Sequence, residues 1–214
     1  NYGPFATDNG DDTSTGQISF RASSGKTYTI TPAIDFNPTI LIGQSDLTTA
    51  GDRIMAGESV NIVVPDMGNN DTHVYIQGAD WYTDLGDLKD IAVSTDNPVF
   101  TVSSKRLQNL KLGDEVAENV TSNIGTLNIG ACPSLEVIYA RNLTNLTGTI
   151  DLSKCPRLKK ALFGGTGATE ISLQPGSKIE EFGLPDTIAT LSLINLPNLT
   201  SRIEEVAYEL KWIN

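Results

Sequence analysis

The chain is poor in the side chains that most protein chemistry requires. Of 214 residues, one is histidine and two are cysteine. General-base catalysis needs a titrating group with a partner in reach. His73, close to Asp71, is the lone histidine, and we expect a surface side chain rather than a base. Cys132 and Cys155 have no histidine partner, and both fall on expected buried positions, so neither reads as a nucleophile. Basic residues are also scarce, with 15 Lys and Arg against 26 Asp and Glu and a net charge of -11. Such a chain repels phosphate backbones and anionic lipid, which excludes nucleic-acid and membrane-surface partners. No apolar run approaches the roughly 20 residues needed to span a bilayer, so no membrane insertion is expected.

Motifs for bound groups are missing as well. Gly164-Gly165-Thr166-Gly167 lacks the Lys-Ser/Thr of a phosphate loop and precedes a strand, so it reads as a turn. Asp8-Asn9-Gly10-Asp11-Asp12 offers oxygen ligands without calcium-loop spacing and reads as a solvated arm. Neither metal, cofactor nor catalytic residue is expected, and the chain is read as no enzyme.

What the sequence does have is a repeat. Leu127-Asn-Ile129-Gly-Ala-Cys132-Pro133-Ser-Leu135 recurs as Ile150-Asp-Leu152-Ser-Lys-Cys155-Pro156-Arg-Leu158 and as Leu191-Ser-Leu193-Ile-Asn-Leu196-Pro197-Asn-Leu199. A degenerate copy, Ile171-Ser-Leu173-Gln-Pro-Gly176-Ser-Lys-Ile179, stands between the last two. Starts 23, 21 and 20 residues apart indicate a solenoid, in which each repeat buries its apolar face only against a neighbour. A second alternating signal follows each copy, at Ile138/Ala140, Ala161/Phe163 and Phe182/Leu184, which implies strands on both sides of the stack. Fainter pairs at Val74/Ile76, Ile91/Val93 and Leu110/Leu112 extend the trace backwards to about seven coils. Glu115-Asn123 and Ala79-Leu88 do not fit it and read as loops. Cys132 and Cys155 share one slot in successive copies. A disulfide there is conceivable, and free thiols filling a small apolar slot are the reading we favour.

The expected fold is mainly β: a leucine-rich-repeat β-solenoid with strands on both sides, preceded by a small β-rich domain and closed by a C-terminal helix. Residues 1-16 read as a flexible arm or linker, 17-67 as a small sandwich-like β-rich domain, 73-200 as the solenoid and 201-214 as the capping helix. Strand-like runs at Gln17-Ala22, Lys26-Thr31, Thr39-Ile42 and Ser59-Val64 support the N-terminal domain, and Asp66-Thr72 is its boundary. Ser201-Arg-Ile-Glu204 matches a capping box, with Ile203, Val206, Ala207 and Leu210 at helical spacing. Beginning at Asn1 rather than Met, the chain reads as a piece of a longer protein.

The pattern LxxLxLxxC/NxxL carried by residues 127-199 resembles that of leucine-rich-repeat proteins. The stretch from Cys132 to Pro185 resembles the irregular repeats in surface proteins of gut bacteria and in large tail or virion proteins of their phages, and residues 26-65 resemble the segment preceding such repeats in those phage proteins. The asparagine slot of the common signature holds Cys, Leu or Gly here, so no asparagine ladder is expected. The resemblance implies a non-enzymatic recognition or assembly role: a phage virion component (tail or fibre) or other extracellular module, with a bacterial cell-surface adhesin as one alternative and a carbohydrate-binding or glycan-processing protein as another. For the last, Asp151 and Glu170 on neighbouring coils are the pair to test, since glycosidases use two carboxylates about 5-10 Å apart. The implied partners are protein subunits of a larger assembly, or a host-surface protein or glycan, at a virion or bacterial cell surface.

In a strand, residues between the buried pair point outward. On the first face these are Thr126, Asn128, Thr149, Asp151, Glu170, Ser172, Thr190 and Ser192, a flat polar row. On the second they are Val137, Tyr139, Arg141, Lys160, Leu162, Glu181 and Gly183. Tyr139, Arg141, Lys160 and Leu162 are its candidate contacts, because aromatic residues and arginine are enriched at protein interfaces. Trp81, Tyr82 and Tyr75 form a further possible patch. Sequons at Asn70, Asn119, Asn142, Asn145 and Asn198 are read as incidental.

Overall fold

The computed structural model describes residues 17–33, 38–42, 45–46, 55–68, 71–78, 89–113, 122–188, 190–192 and 203–204. The chain is mainly β, and no α-helix occurs among these residues.

The first strands form two facing sheets. In one, β1 (Gln17–Ser23) pairs antiparallel with β6 (Asp71–Gly78), which pairs on its other side with β3 (Pro38–Ile42), followed by β4 (Ser45–Asp46). In the other, β2 (Thr27–Pro32) lies between β5 (Val60–Val63) and β7 (Asp90–Thr95), antiparallel to both. Alternation drives this arrangement: Tyr28, Ile30 and Pro32 are buried while Thr27, Thr29 and Thr31 are half-exposed. Gly25, at φ +73, supplies the left-handed residue that lets Ser23 O accept from Lys26 N (3.2 Å) and turns β1 into β2. Phe20 from β1 meets Tyr28 from β2 with ring centroids 5.1 Å apart, which ties the two sheets at this end, and Phe100, in the same sheet as Phe20, packs on it at 5.5 Å.

Beyond β7 the pairing becomes parallel. The strands are β8 (Val99–Val102), β9 (Asn109–Lys111), β10 (Thr126–Ile129), β11 (Val137–Tyr139), β12 (Thr147–Leu152), β13 (Lys160–Leu162), β14 (Gly167–Leu173), β15 (Glu181–Gly183), β16 (Thr190–Ser192) and β17 (Ile203–Glu204). From β7 to β17 the odd-numbered strands form one parallel ladder. The even-numbered strands lie elsewhere: β8 pairs parallel with β10, and β12, β14 and β16 form a parallel set beside β10. Successive strands thus alternate between the two sides, as they must, because a parallel neighbour cannot be reached by a tight hairpin.

Register places three of the four repeat copies in line. Ile150 pairs with Ile171 and Ile171 with Leu191; opposite them Leu110, Ile138, Ala161, Phe182 and Ile203 are successive partners. Leu110, Ile138, Ala161, Phe182, Ile150 and Ile171 are all 0% exposed and belong to one continuous apolar cluster. Burying each large aliphatic or aromatic side chain contributes about 1.5–3 kcal/mol before entropy is subtracted. Backbone bonds at one bend repeat this alignment. Lys89 O accepts from Gln108 N (2.8 Å), Gln108 O from Glu136 N (2.8 Å), Glu136 O from Lys159 N (2.7 Å), and Lys159 O from Glu180 N (2.7 Å).

Several expectations change. Ile203 and Glu204, placed by sequence in a capping helix over 201-214, are instead strand β17, paired parallel with Phe182 and Gly183. The ladder edge offered by β15 captures the apolar Ile203 in extended form, which overrides the capping-box signal; the rest of 201-214 lies outside the described residues. The backward trace of the repeat also crosses sides. Leu110 aligns with Ile138 rather than Leu127, and the partner of Leu127 is Phe100. Both sides carry the same apolar alternation, so periodicity alone cannot tell which side a strand joins. The Val74/Ile76 pair lies on β6, antiparallel to β1, and so stands outside the parallel ladders. The two sheets run through the boundary at Asp66-Thr72, since β6 and β7 pair with strands from the 17-67 segment. The arm at 1-16, the Ala79-Leu88 loop and residues 115-121 lie outside the described residues.

Candidate interaction surfaces

The first face is a polar row on the even-numbered strands. Thr126, Asn128, Thr149 and Asp151 are exposed; Glu170 and Ser172 are half-buried. Register puts Thr149, Glu170 and Thr190 in one line and Asp151, Ser172 and Ser192 in the next. The groups bond along the face. Asn128 Nδ2 donates to Thr101 Oγ1 (3.2 Å), and Thr149 Oγ1 donates to a Glu170 carboxylate oxygen (3.4 Å). Asp151 turns inward on its own chain, where Ser153 N donates to its Oδ1 at 2.9 Å. The Ser153 hydroxyl and amide hold the Asp151 carboxyl below the ordinary carboxylate range, with Lys154 adding to this. A general acid needs the opposite shift. Asp151 and Glu170 are diagonal neighbours on this outward face rather than a facing pair, because Asp151 is opposite Ser172 and Glu170 opposite Thr149.

The second face, on the odd-numbered strands, is chemically richer. Tyr139 on β11 is half-buried and sits between two ammonium groups: Lys111 Nζ at 5.7 Å and Lys160 Nζ at 5.3 Å from its ring centroid. Lys111 comes from β9, directly opposite Tyr139, and Lys160 from β13, two residues off that line and opposite Val137. Cations over an aromatic face gain on the order of 0.5–1 kcal/mol at exposed sites. Lys160 also pairs with Glu181 at 3.0 Å, and this carboxylate raises the Lys160 pKa, helped by Tyr139 and opposed by desolvation. Asn109 Nδ2 donates to Asp90 Oδ1 (2.6 Å) on the same ladder, and Lys159 lies 3.7 Å from Glu136 at its bend.

Arg141, just past β11, is half-buried. Leu162 departs from expectation: it is 1% exposed and offers no contact surface. Its neighbour across the ladder, Gly183, has no side chain to hold it away, and a Cβ there would come 3.0 Å from Leu162 Cδ2. Lys111 was not among the residues singled out by sequence, because Leu110 had been aligned with Leu127; correct register makes Lys111 the neighbour of Tyr139.

His73 is 7% exposed on β6, contrary to the surface position expected of it. It stands on the face of β6 opposite to the core residues Val74 and Ile76, in register with Arg21, and is covered there. Gly165, at φ +73, lies in the turn after β13, as read, with Asn142 packed against it. Asn142 and Asn145 are exposed, whereas Asn70, Asn119 and Asn198 lie outside the described residues. Asp8-Asp12, Trp81 and Tyr82 also lie outside them, and of Tyr75 only the strand position is described. Cys132 and Cys155 are free and buried. Among the described residues no cluster of three or more His, Cys, Asp or Glu side chains is placed to hold a metal ion, and no helix is long and apolar enough to cross a membrane.

No family model, no curated protein and no solved structure matches this chain.

Proposed function

We propose that the chain is a non-enzymatic recognition module: a leucine-rich-repeat solenoid, joined to the antiparallel strands before it, that binds a protein neighbour through the outside of its odd-numbered ladder. The neighbour is a protein of the host surface, or a subunit of a larger virion, such as a phage tail or fibre, or of another extracellular assembly. Three features support the reading. Three of the four repeat copies fall into register, the strands alternate between two sides, and the polar outer rows stand on the sheet faces.

The observation that carries it is Tyr139 with Lys111 and Lys160 on either side. An aromatic ring with a polar tip, braced by two cations on strands one rung away, presents apolar area and positive charge together. That combination suits a partner offering a carboxylate beside an apolar side chain. On a chain of net charge -11 two ammonium groups beside one ring, one of them shared with Glu181, concentrate positive charge here, which favours approach of an acidic partner at this spot over others.

The test uses labelled chain presented to intact bacterial cells and to their separated surface proteins and glycans. A double variant, Lys111→Ala with Tyr139→Ala, serves as the comparison. Saturable binding to a protein component that the double variant loses tenfold or more supports the reading. Equal binding by both chains, or turnover of a glycan, overturns it.

A further inference from the structure

The two cysteines of this chain stand in equivalent places on neighbouring coils. Each follows its strand by three residues, Cys132 after Ile129 of β10 and Cys155 after Leu152 of β12, and each opens the same turn. Leu135 N donates to Cys132 O (3.2 Å), and Leu158 N to Cys155 O (3.3 Å). The turns are joined directly, because Cys132 N donates to Lys154 O across the coils (3.4 Å). Cys155 Sγ reaches back to Gly130 O at 4.0 Å, in the turn that holds Cys132. Interaction with the neighbouring thiol lowers Cys132 and, together with burial, raises Cys155. Cys132 is 0% and Cys155 2% exposed.

Neighbouring rungs of a parallel ladder lie about 4.8 Å apart. The Cα separations that disulfides span run from about 4.4 to 6.8 Å. The cross-coil bond from Cys132 N to Lys154 O, next to Cys155, holds the two turns at about this spacing and so brings the two side chains into one shared slot. We infer that Cys132 and Cys155 form an oxidisable clasp, a disulfide that locks two successive coils together when the chain folds in an oxidising compartment. The same slot accepts the reduced pair as packed thiols.

The chemistry balances with a low-molecular-weight disulfide such as oxidised glutathione. One cysteine thiolate attacks the glutathione disulfide, forming a mixed disulfide and releasing one glutathione. The second cysteine, losing its proton to solvent, then attacks the protein sulfur of that mixed disulfide and releases the other glutathione. Two thiols are oxidised and one glutathione disulfide is reduced to two thiols. Since both sulfurs are buried in the finished fold, oxidation takes place before the two turns close over them or during local opening. Once closed, the same burial shields the bond from reductants.

The experiment measures the equilibrium between dithiol and disulfide across a series of glutathione redox ratios, for the native chain and for the chain in urea. Intact mass and alkylation after denaturation count the thiols. With only two cysteines, the one intrachain bond in either state is the same, so the comparison isolates what the fold contributes. The native fold is expected to favour the disulfide on the order of a hundredfold over the unfolded chain. By linkage the oxidised protein then unfolds at a higher urea concentration than the reduced one. A native ratio equal to or below that in urea, or oxidation yielding only mixed disulfides or linked pairs of chains, overturns the inference. A Cys132→Ala, Cys155→Ala chain, insensitive to the redox series in its urea midpoint, confirms that any shift comes from this pair; a shift that persists in it also overturns the inference.

Discussion

The Tyr28 hydroxyl accepts a hydrogen bond from Asn97 Nδ2 at 2.9 Å, joining the last antiparallel strand pair to the first turn of the parallel ladders. Tyr28 is 0% exposed and Asn97 5%. Ser23 N donates to the same hydroxyl at 3.0 Å, and Asn97 Nδ2 donates also to Ser23 Oγ at 2.9 Å. Asn97 Oδ1 accepts from Val99 N (3.0 Å), which starts β8. One buried amide thus fixes where β1 ends and where β8 begins. Replacing Tyr28 by Phe removes this acceptor from Ser23 N and leaves Asn97 Nδ2 with Ser23 Oγ alone, a loss of about 1–3 kcal/mol. Asn97→Ala should cost at least as much. Urea denaturation of the two variants measures both, and a change below about 0.5 kcal/mol in Tyr28→Phe would show that the junction relies on other contacts.

Truncation along the ladder core should be far more damaging than truncation on the outer row. Ile171 is 0% exposed between Ile150 and Leu191 in register, so Ile171→Ala removes apolar contact and leaves a cavity. The expected loss is about 2–5 kcal/mol. Thr149→Ala, on the same strand set but exposed, should stay within about 0.5 kcal/mol. Comparable losses in the two variants, read from denaturant midpoints, would contradict the inside–outside assignment of β12 and β14.

Gly183 is required by a neighbour rather than by its backbone. A Cβ there would meet Leu162 at 3.0 Å from Cδ2 and 3.3 Å from Cα. The side-chain atom can shift, but the backbone atom can do so only by spreading β13 from β15. Gly183→Ala is therefore expected to cost about 1–3 kcal/mol by overpacking. Thermal unfolding of Gly183→Ala alone and together with Leu162→Ala tests the cause. Measured against Leu162→Ala alone, which itself costs about 2–5 kcal/mol, Gly183→Ala should then cost less than it does in the parent chain.

Asp151 gives a pH signature. Its carboxyl is depressed in the folded chain by the Ser153 hydroxyl and amide. A depressed folded-state value contributes stability that is present above the unfolded value, about 3.9, and is lost as pH falls through the folded value. The group is exposed, so the contribution is small. Carbon-detected NMR of the Asp151 carboxyl should show a midpoint below the ordinary aspartate range. Ser153→Ala should move that midpoint upward, and no movement would place the cause elsewhere.

Much of the architecture could be read from residues alone. The copies starting at Ile150, Ile171 and Leu191 are the very residues that pair, and Ile138, Ala161 and Phe182, read as a second strand per repeat, form the other ladder. Those signals were legible because apolar alternation and turn residues occur at nearly constant spacing. The side to which a strand belongs was not legible. Leu110 and Leu127 carry the same local pattern yet belong to opposite ladders, and only hydrogen-bond register separates them. That ambiguity hid Lys111 from the Tyr139 site. The helix signal at 201-204 was equally local, and a ladder edge seeking a partner for Phe182 outweighed it at Ile203. Leu162 was misplaced for a related reason: alternation assigned it outward, whereas the missing side chain of Gly183 lets it pack closely on the sheet.

The account rests on parallel pairing between strands about one repeat apart. Nuclear Overhauser contacts between backbone protons test it most directly. They should join Ile150 to Ile171 and Ile171 to Leu191 on one side, and Ile138 to Ala161 and Ala161 to Phe182 on the other. Antiparallel contacts between consecutive strands, β12 with β13 or β14 with β15, would contradict it.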